Sequence, residues 1–212
     1  MIITIFGATG IVGRHLVKQA LIMGHQVKAF GRNVYTADFR ENENLTLVPG
    51  ALFDETQVSR ALVGSDAVLS AIGGPSSGMD KTRSLGMKNI ATQMINTGVS
   101  RIVAIGSMGI LDDPGEGNGL MMDLADYPEK LKEADMDHYK AFTFLSASGL
   151  DWTMVCPPEI RNADPTGLYK TAVDFAPALN NPYINAGDLS LFMLNELEKE
   201  LYIRKRVAIW NT

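Results

Sequence analysis

Cysteine is nearly missing from this chain: Cys156 stands alone among 212 residues. A single thiol excludes an internal disulfide framework and fits a reducing, cytoplasmic setting. Long apolar runs are missing as well, and no stretch approaches the roughly 18 residues that a membrane span requires. Basic clusters are also absent. The net charge is −5 and no lysine- or arginine-rich stripe offers a track for phosphates, which argues against nucleic acid as a partner. His15, His25 and His138 are scattered, and no cluster has metal-ligand spacing. The chain enters an apolar run at once, without a basic segment before it, so no signal peptide is expected. Internal repeats, low-complexity tracts and a dividing linker are missing too. These absences leave a soluble protein with a single domain over residues 1–212. Its 46% hydrophobic content and its length suffice for a substantial core.

What is present is an alternation of strand and helix patterns. It points to an α/β fold, a doubly wound parallel sheet covered on both faces. Strands are expected at Ile2–Phe6, Gln26–Phe30, Leu45–Val48, Ala67–Ile72, Arg101–Ile105, Trp152–Val155 and Arg206–Trp210. Helices are expected at Ile11–Met23, Glu55–Leu62, Thr82–Thr97, Pro128–Ala147 and Ala186–Glu198. Asp54 and Asn185 stand where N-caps belong, Gly24 and Gly98 where helices end. Two segments break the alternation. Gly109–Leu120 holds Pro114 and Gly109, Gly115, Gly117 and Gly119, while Pro157–Pro182 is proline-rich and lacks a strong period. Both follow carboxyl ends of strands, where open α/β sheets bind ligands, so residues 108–122 and 157–182 are expected to be ligand-site loops.

The most informative motif is Gly7-Ala8-Thr9-Gly10-Ile11-Val12-Gly13, set between the first strand and the first helix. Glycine is needed where the chain turns tightly, where backbone meets a pyrophosphate, and where helix packs closely on strand. Backbone N–H groups at the new helix's start then face the phosphates. The spacing is G-x-x-G-x-x-G, and it assigns the turn of Gly7, Gly10 and Gly13 to a dinucleotide. A site for NAD carries an acid at the end of the second strand, about 20 residues on, to hold the ribose 2′-hydroxyl. Here that strand ends Ala29-Phe30-Gly31-Arg32-Asn33. The planar donor fork of Arg32 suits a 2′-phosphate, so NADP(H) is expected over NAD(H). Asn33 beside it and Leu52 after the third strand join the expected cofactor contacts. Gly73 and Gly74, before Pro75, let backbone pass close to the cofactor after the fourth strand.

Ser107 lies just past the fifth strand, over the expected nicotinamide position, where its hydroxyl could meet a carbonyl or a carboxamide. The long helix toward Ala147 lacks the Tyr-x-x-x-Lys dyad of short-chain reductases. Tyr139 and Lys140 are adjacent and point about 100° apart on a helix, so they form no such pair. His138 is the nearest ionisable group and the expected candidate for a proton near neutral pH.

In their order, Ile5-Phe6-Gly7-Ala8-Thr9-Gly10, Gly64-Ser65-Asp66-Ala67-Val68, Gly98-Val99, Ser107 and Asp137-His138 form one ordered set. It continues with Ser148-Gly149-Leu150, Pro157-Pro158-Glu159-Ile160, Thr166-Gly167 and Gly187-Asp188-Leu189. On these residues the chain resembles the atypical short-chain dehydrogenase/reductases with an NmrA-like NAD(P)-binding domain, and more closely their biliverdin-IXβ reductase/flavin reductase group. The resemblance implies one Rossmann-like domain that reduces flavins, and in some members quinones or linear tetrapyrroles, with NADPH. It implies that Thr9, Ile11 and Val12 bind the cofactor as well, places Ile72, Gly73, Pro157 and Ile160 beside the nicotinamide with Pro158 among the cofactor contacts, and puts Ser107 and His138 at the positions of the group's catalytic side chains. Ala134 falls where the superfamily's tyrosine stands. Ala51 replaces an acid near the adenine, and Glu159 replaces a histidine of the tetrapyrrole reductase.

The expectation is therefore an NADPH-dependent reductase of a small planar acceptor such as FMN, riboflavin or a quinone, acting as a monomer or homodimer. Its rival is a non-catalytic NADP(H)-sensing regulator. A sugar-nucleotide epimerase is disfavoured by the missing dyad. With a flavin the missing dyad makes chemical sense, because the acceptor's ring and water can supply protons and the protein mainly positions.

Overall fold

A computed structural model describes residues 1–75, 77–115 and 119–212 of the protein. The elements run β1 (Ile2–Phe6), α1 (Ile11–Ile22), β2 (Gln26–Gly31), β3 (Leu45–Pro49), α2 (Glu55–Leu62), β4 (Ala67–Ser70) and α3 (Thr82–Thr97). Then come β5 (Arg101–Ile105), α4 (Glu129–Ser146), β6 (Asp151–Cys156), β7 (Glu159–Arg161) and β8 (Tyr169–Val173). The chain closes with β9 (Tyr183–Asn185), α5 (Ala186–Lys199) and β10 (Lys205–Asn211).

One sheet takes the order β3-β2-β1-β4-β5-β6-β10-β8, parallel except where β8 runs antiparallel to β10. β7 and β9 make a separate parallel ribbon. The expected Rossmann-like, doubly wound α/β fold is the one the chain adopts. Its central strands are apolar on both faces because helices cover both. Ile3 and Ile5 of β1 join a core with Leu16 and Val17 of α1 and Leu189 and Met193 of α5. Phe6 and Val68 join a second core with Leu62 of α2, Met87 and Ile90 of α3 and Leu145 of α4. Each such side chain contributes roughly 1.5–3 kcal/mol by leaving water, which makes the two cores the main source of stability.

Local signals set several boundaries. Asp54 caps α2 by accepting from the Gln57 N–H at 2.9 Å, and Gly98 ends α3. Asn185 stands at the N-cap of α5 but does not cap it. Its amide donates instead to Asp188 Oδ2 at 3.2 Å, because that buried carboxylate also gathers Thr166 and Asn211. The fourth strand stops at Ser70, short of the expected Ile72. Ala71 keeps one ladder bond, to the Phe6 carbonyl at 2.9 Å, and the chain then turns outward. The proline-rich segment is not all loop: β8 lies between Pro165 and Pro177, so the prolines flank a short alternating run that pairs with β10. Ile110 and Leu111 of the glycine-rich segment are core residues, and its residues 116–118 lie outside those described.

Candidate functional site

The strand order reverses between β1 and β4, and a crevice opens there beyond the carboxyl ends of the strands, the place where such sheets bind ligands. Gly7 makes the turn with φ +75°, a left-handed conformation that side chains disfavour, and a Cβ there would lie 2.4 Å from the Ala71 carbonyl oxygen. Gly13 lets α1 press onto this turn, since a Cβ would lie 2.1 Å from the Gly7 oxygen. No side chain caps α1 and no acid occupies its first turn, so its leading N–H groups are free for an anion.

The cleft has a volume of about 1000 Å³. Of the expected cofactor residues, Gly7, Thr9, Gly10, Ile11, Val12, Arg32, Leu52, Ile72, Gly73, Gly74, Pro157, Pro158 and Ile160 line it, as do Ser107 and His138. Gly13 lies beneath it as a packing residue, and Asn33 is exposed beyond its wall. At the Arg32 end, that guanidinium is exposed and joins no ion pair among the described residues, and Phe53 forms part of the wall. Sequence reasoning passed over Phe53, whose only signal is an aromatic residue following the third strand. An uncapped helix start, two glycines at close approach and an unpaired guanidinium fit a dinucleotide phosphate.

At the other end, His138 on α4 faces the cleft with part of its surface, while its Nδ1 is buried without a partner. Burial, helped by the positive charge of Arg83, pushes its pKa down to about 3, so the imidazole is neutral at physiological pH. Arg83, at the start of α3, is 7% exposed and also borders the cleft. Its guanidinium donates to the carbonyls of Gly74 at 2.9 Å and Pro75 at 3.2 Å, which holds the backbone after β4. Asp137 lies 4.0 Å from it and accepts from the N–H groups of Arg83 and Ser84, capping α3 from α4. Sequence reading missed Arg83, Asp80 and Thr82 as wall residues, because no local pattern marks them.

Behind Ser107 sits a buried polar group. Tyr127 donates its hydroxyl to Asp135, whose carboxyl is pushed above the usual carboxylate range by burial, opposed by Tyr127, Ser107 and Arg83. The Tyr127 hydroxyl is pushed up by burial and by this partner. Tyr139 packs against Phe142 with ring centres 6.1 Å apart, and Lys140 points to solvent, so neither joins the site. Cys156 is fully buried and its thiol is pushed up to about 12, which leaves it inert as a nucleophile.

This cleft at the sheet's switch point, entered by a glycine turn and an uncapped helix, defines a Rossmann-type nucleotide-binding protein. The chain belongs to the NAD(P)H-binding family, whose sequence model matches residues 7–200. Among curated proteins it is 24% identical, over 99% of its own length, to the photosystem II assembly factor Ycf39 of Synechocystis, and spans 62% of that protein. A Bacteroides thetaiotaomicron protein provisionally described as an epimerase shares 26% identity at a TM-score of 0.87, covering 99% of this chain and 96% of that one. A Streptococcus pneumoniae protein provisionally described as an NADH-flavin reductase superposes over the full length of both chains with a TM-score of 0.85 and 23% identity, which shows the shared fold. No helix among the described residues is long and apolar enough to cross a membrane.

Proposed function

We propose that the protein is an NADPH-dependent reductase that delivers hydride to a flavin or a similar planar conjugated acceptor such as a quinone. One observation carries the reading. Among the described residues, the end of the cleft opposite Arg32 has no group suited to give up a proton near neutral pH. His138 is held neutral, and Ser107 Oγ is buried without a hydrogen-bond partner. A simple ketone develops a localised alkoxide and needs a strong donor. A flavin or quinone ring spreads the incoming charge, so positioning suffices. Bound reduced nicotinamide supplies the hydride. Gly7, Gly10 and the start of α1 receive the phosphates, Arg32 meets the 2′-phosphate, and Ile72, Pro157 and Ile160 exclude water from the reacting face. The provisional description of the Streptococcus protein names the same acceptor class.

The name of Ycf39, an assembly factor, favours a second reading in which the chain senses NADP(H) without turning it over. Steady-state oxidation of NADPH with riboflavin, FMN, quinones and bilins separates the two. Turnover with riboflavin, FMN or a quinone supports the reductase, and tight NADPH binding without turnover on any acceptor supports the sensor.

A further inference from the structure

Arg14, in the first turn of α1, does not line the cleft, yet its guanidinium joins two segments that supply the cleft wall. Nε donates to the Thr9 carbonyl of the glycine turn at 3.0 Å, and Nη1 donates to the Ala37 carbonyl of the turn that follows Arg32. The Phe39 ring centre lies 6.0 Å from the same guanidinium, within reach of a cation–π contact. The two segments also approach each other directly, since a Cβ at Gly31 would lie 3.4 Å from the Thr9 methyl.

They depend on this link unequally. The glycine turn is closed by its own backbone, with the Gly10 N–H donating to the Gly7 carbonyl at 3.1 Å and the Arg14 N–H to the Gly10 carbonyl at 3.0 Å. In the turn over 33–37, Thr36 donates twice to the Asn33 carbonyl and Ala37 once to the Val34 carbonyl. Those bonds shape the turn without fixing it to its neighbours. Val34 and Ala37 anchor it by burial, at 0% and 2% exposed, but burial is non-directional. Among the described residues, Arg14 gives this turn its hydrogen bond to another element. Arg32 connects the end of β2 to that turn and holds its exposed guanidinium at the cleft.

We infer that Arg14 is a positioning residue for the cofactor's 2′-phosphate: it fixes the turn after β2 to the glycine turn and so sets the spacing between Arg32 and the pyrophosphate site. This rests on the reading above in which Arg32 meets the 2′-phosphate. Both phosphate groups belong to one ligand, so NADPH gains from two anchors held at a fixed spacing. NADH uses only the anchor at the pyrophosphate. Lysine in place of Arg14 keeps the charge but carries one flexible ammonium, which cannot hold two carbonyls with the fixed plane of a guanidinium.

Arg14→Lys therefore separates positioning from charge. Calorimetric titration should show the NADPH Kd rising by about fivefold or more, with the NADH Kd staying within about twofold. In an Arg32→Ala background the same substitution should change neither Kd by more than about twofold, because no guanidinium is left to position. Hydrogen exchange of the cofactor-free protein should be about tenfold faster or more at the Thr36 and Ala37 amides in Arg14→Lys, with the β1 amides unchanged. With riboflavin as acceptor, KM for NADPH should rise while kcat stays within about twofold. Equal losses for both cofactors make Arg14 a general structural residue and overturn the inference. An NADPH loss that persists in the Arg32→Ala background means direct contact and overturns it too, as does unchanged exchange at Thr36 and Ala37. Wild-type protein that binds both cofactors equally sinks the Arg32 reading and the inference with it. A strong wild-type preference for NADPH that survives Arg14→Lys sinks the inference alone.

Discussion

Asp137 on α4 and Arg83 on α3 are joined twice: the carboxylate accepts from the Arg83 backbone N–H at 3.0 Å and lies 4.0 Å from its guanidinium. The same guanidinium holds the Gly74 and Pro75 carbonyls, so one buried pair ties α4 to α3 and both to the cleft wall. Removing the carboxylate strands a buried cation and uncaps α3. Asp137→Ala is expected to lose about 3 kcal/mol of stability, read from urea unfolding. A loss below about 1 kcal/mol would contradict this account.

The proposed preference for NADPH rests on Arg32, whose exposed guanidinium borders the cleft. NADPH should bind at least tenfold tighter than NADH, which corresponds to roughly 1.4 kcal/mol from one charge-assisted contact. Arg32→Ala should remove the preference without altering NADH affinity. Calorimetric titration of both cofactors checks it, and equal affinities for the wild type reject the role given to Arg32.

His138 is neutral in the folded protein, with its pKa near 3, and charged below about 6.5 when unfolded. Below that upper value the unfolded state therefore binds the extra proton. His138's contribution is fully present above about pH 6.5 and is lost as the pH falls toward 3. Between pH 7 and pH 5 the wild type should lose about 1 kcal/mol more than His138→Gln, after allowance for the partial exposure of the residue. Parallel denaturation curves at the two pH values measure the difference, and identical losses exclude the depressed pKa. For the same reason, turnover with riboflavin should show no step around pH 6.5.

Gly13 has no room for a side chain, because its nearest neighbour would be backbone that cannot swing aside. Gly13→Ala should cost about 3 kcal/mol and weaken cofactor binding, since α1 and the Gly7 turn would have to part. Thermal unfolding and NADPH titration check both effects, and a variant with native stability refutes the packing role.

The parts legible in the sequence are those whose cause lies within a few residues. The glycine turn, the β/α alternation and the Asp54 cap each follow from backbone geometry or from a side chain meeting its own neighbours. The direction of the doubly wound sheet follows too, because apolar strands between helices bury themselves only when covered on both faces. Tertiary structure decided the rest. β8 is a strand because β10 offers it an open edge, and pairing across that distance leaves little local trace. Asp137 reaches α3 from 54 positions away in the sequence, and Arg83 of α3 holds the Gly74 carbonyl after β4. His138 was visible as an ionisable group, but its neutrality comes from burial and from the charge of Arg83. Charge state and hydroxyl direction belong to the assembled interior, because desolvation and the choice of hydrogen-bond partner arise only when distant segments close around a group.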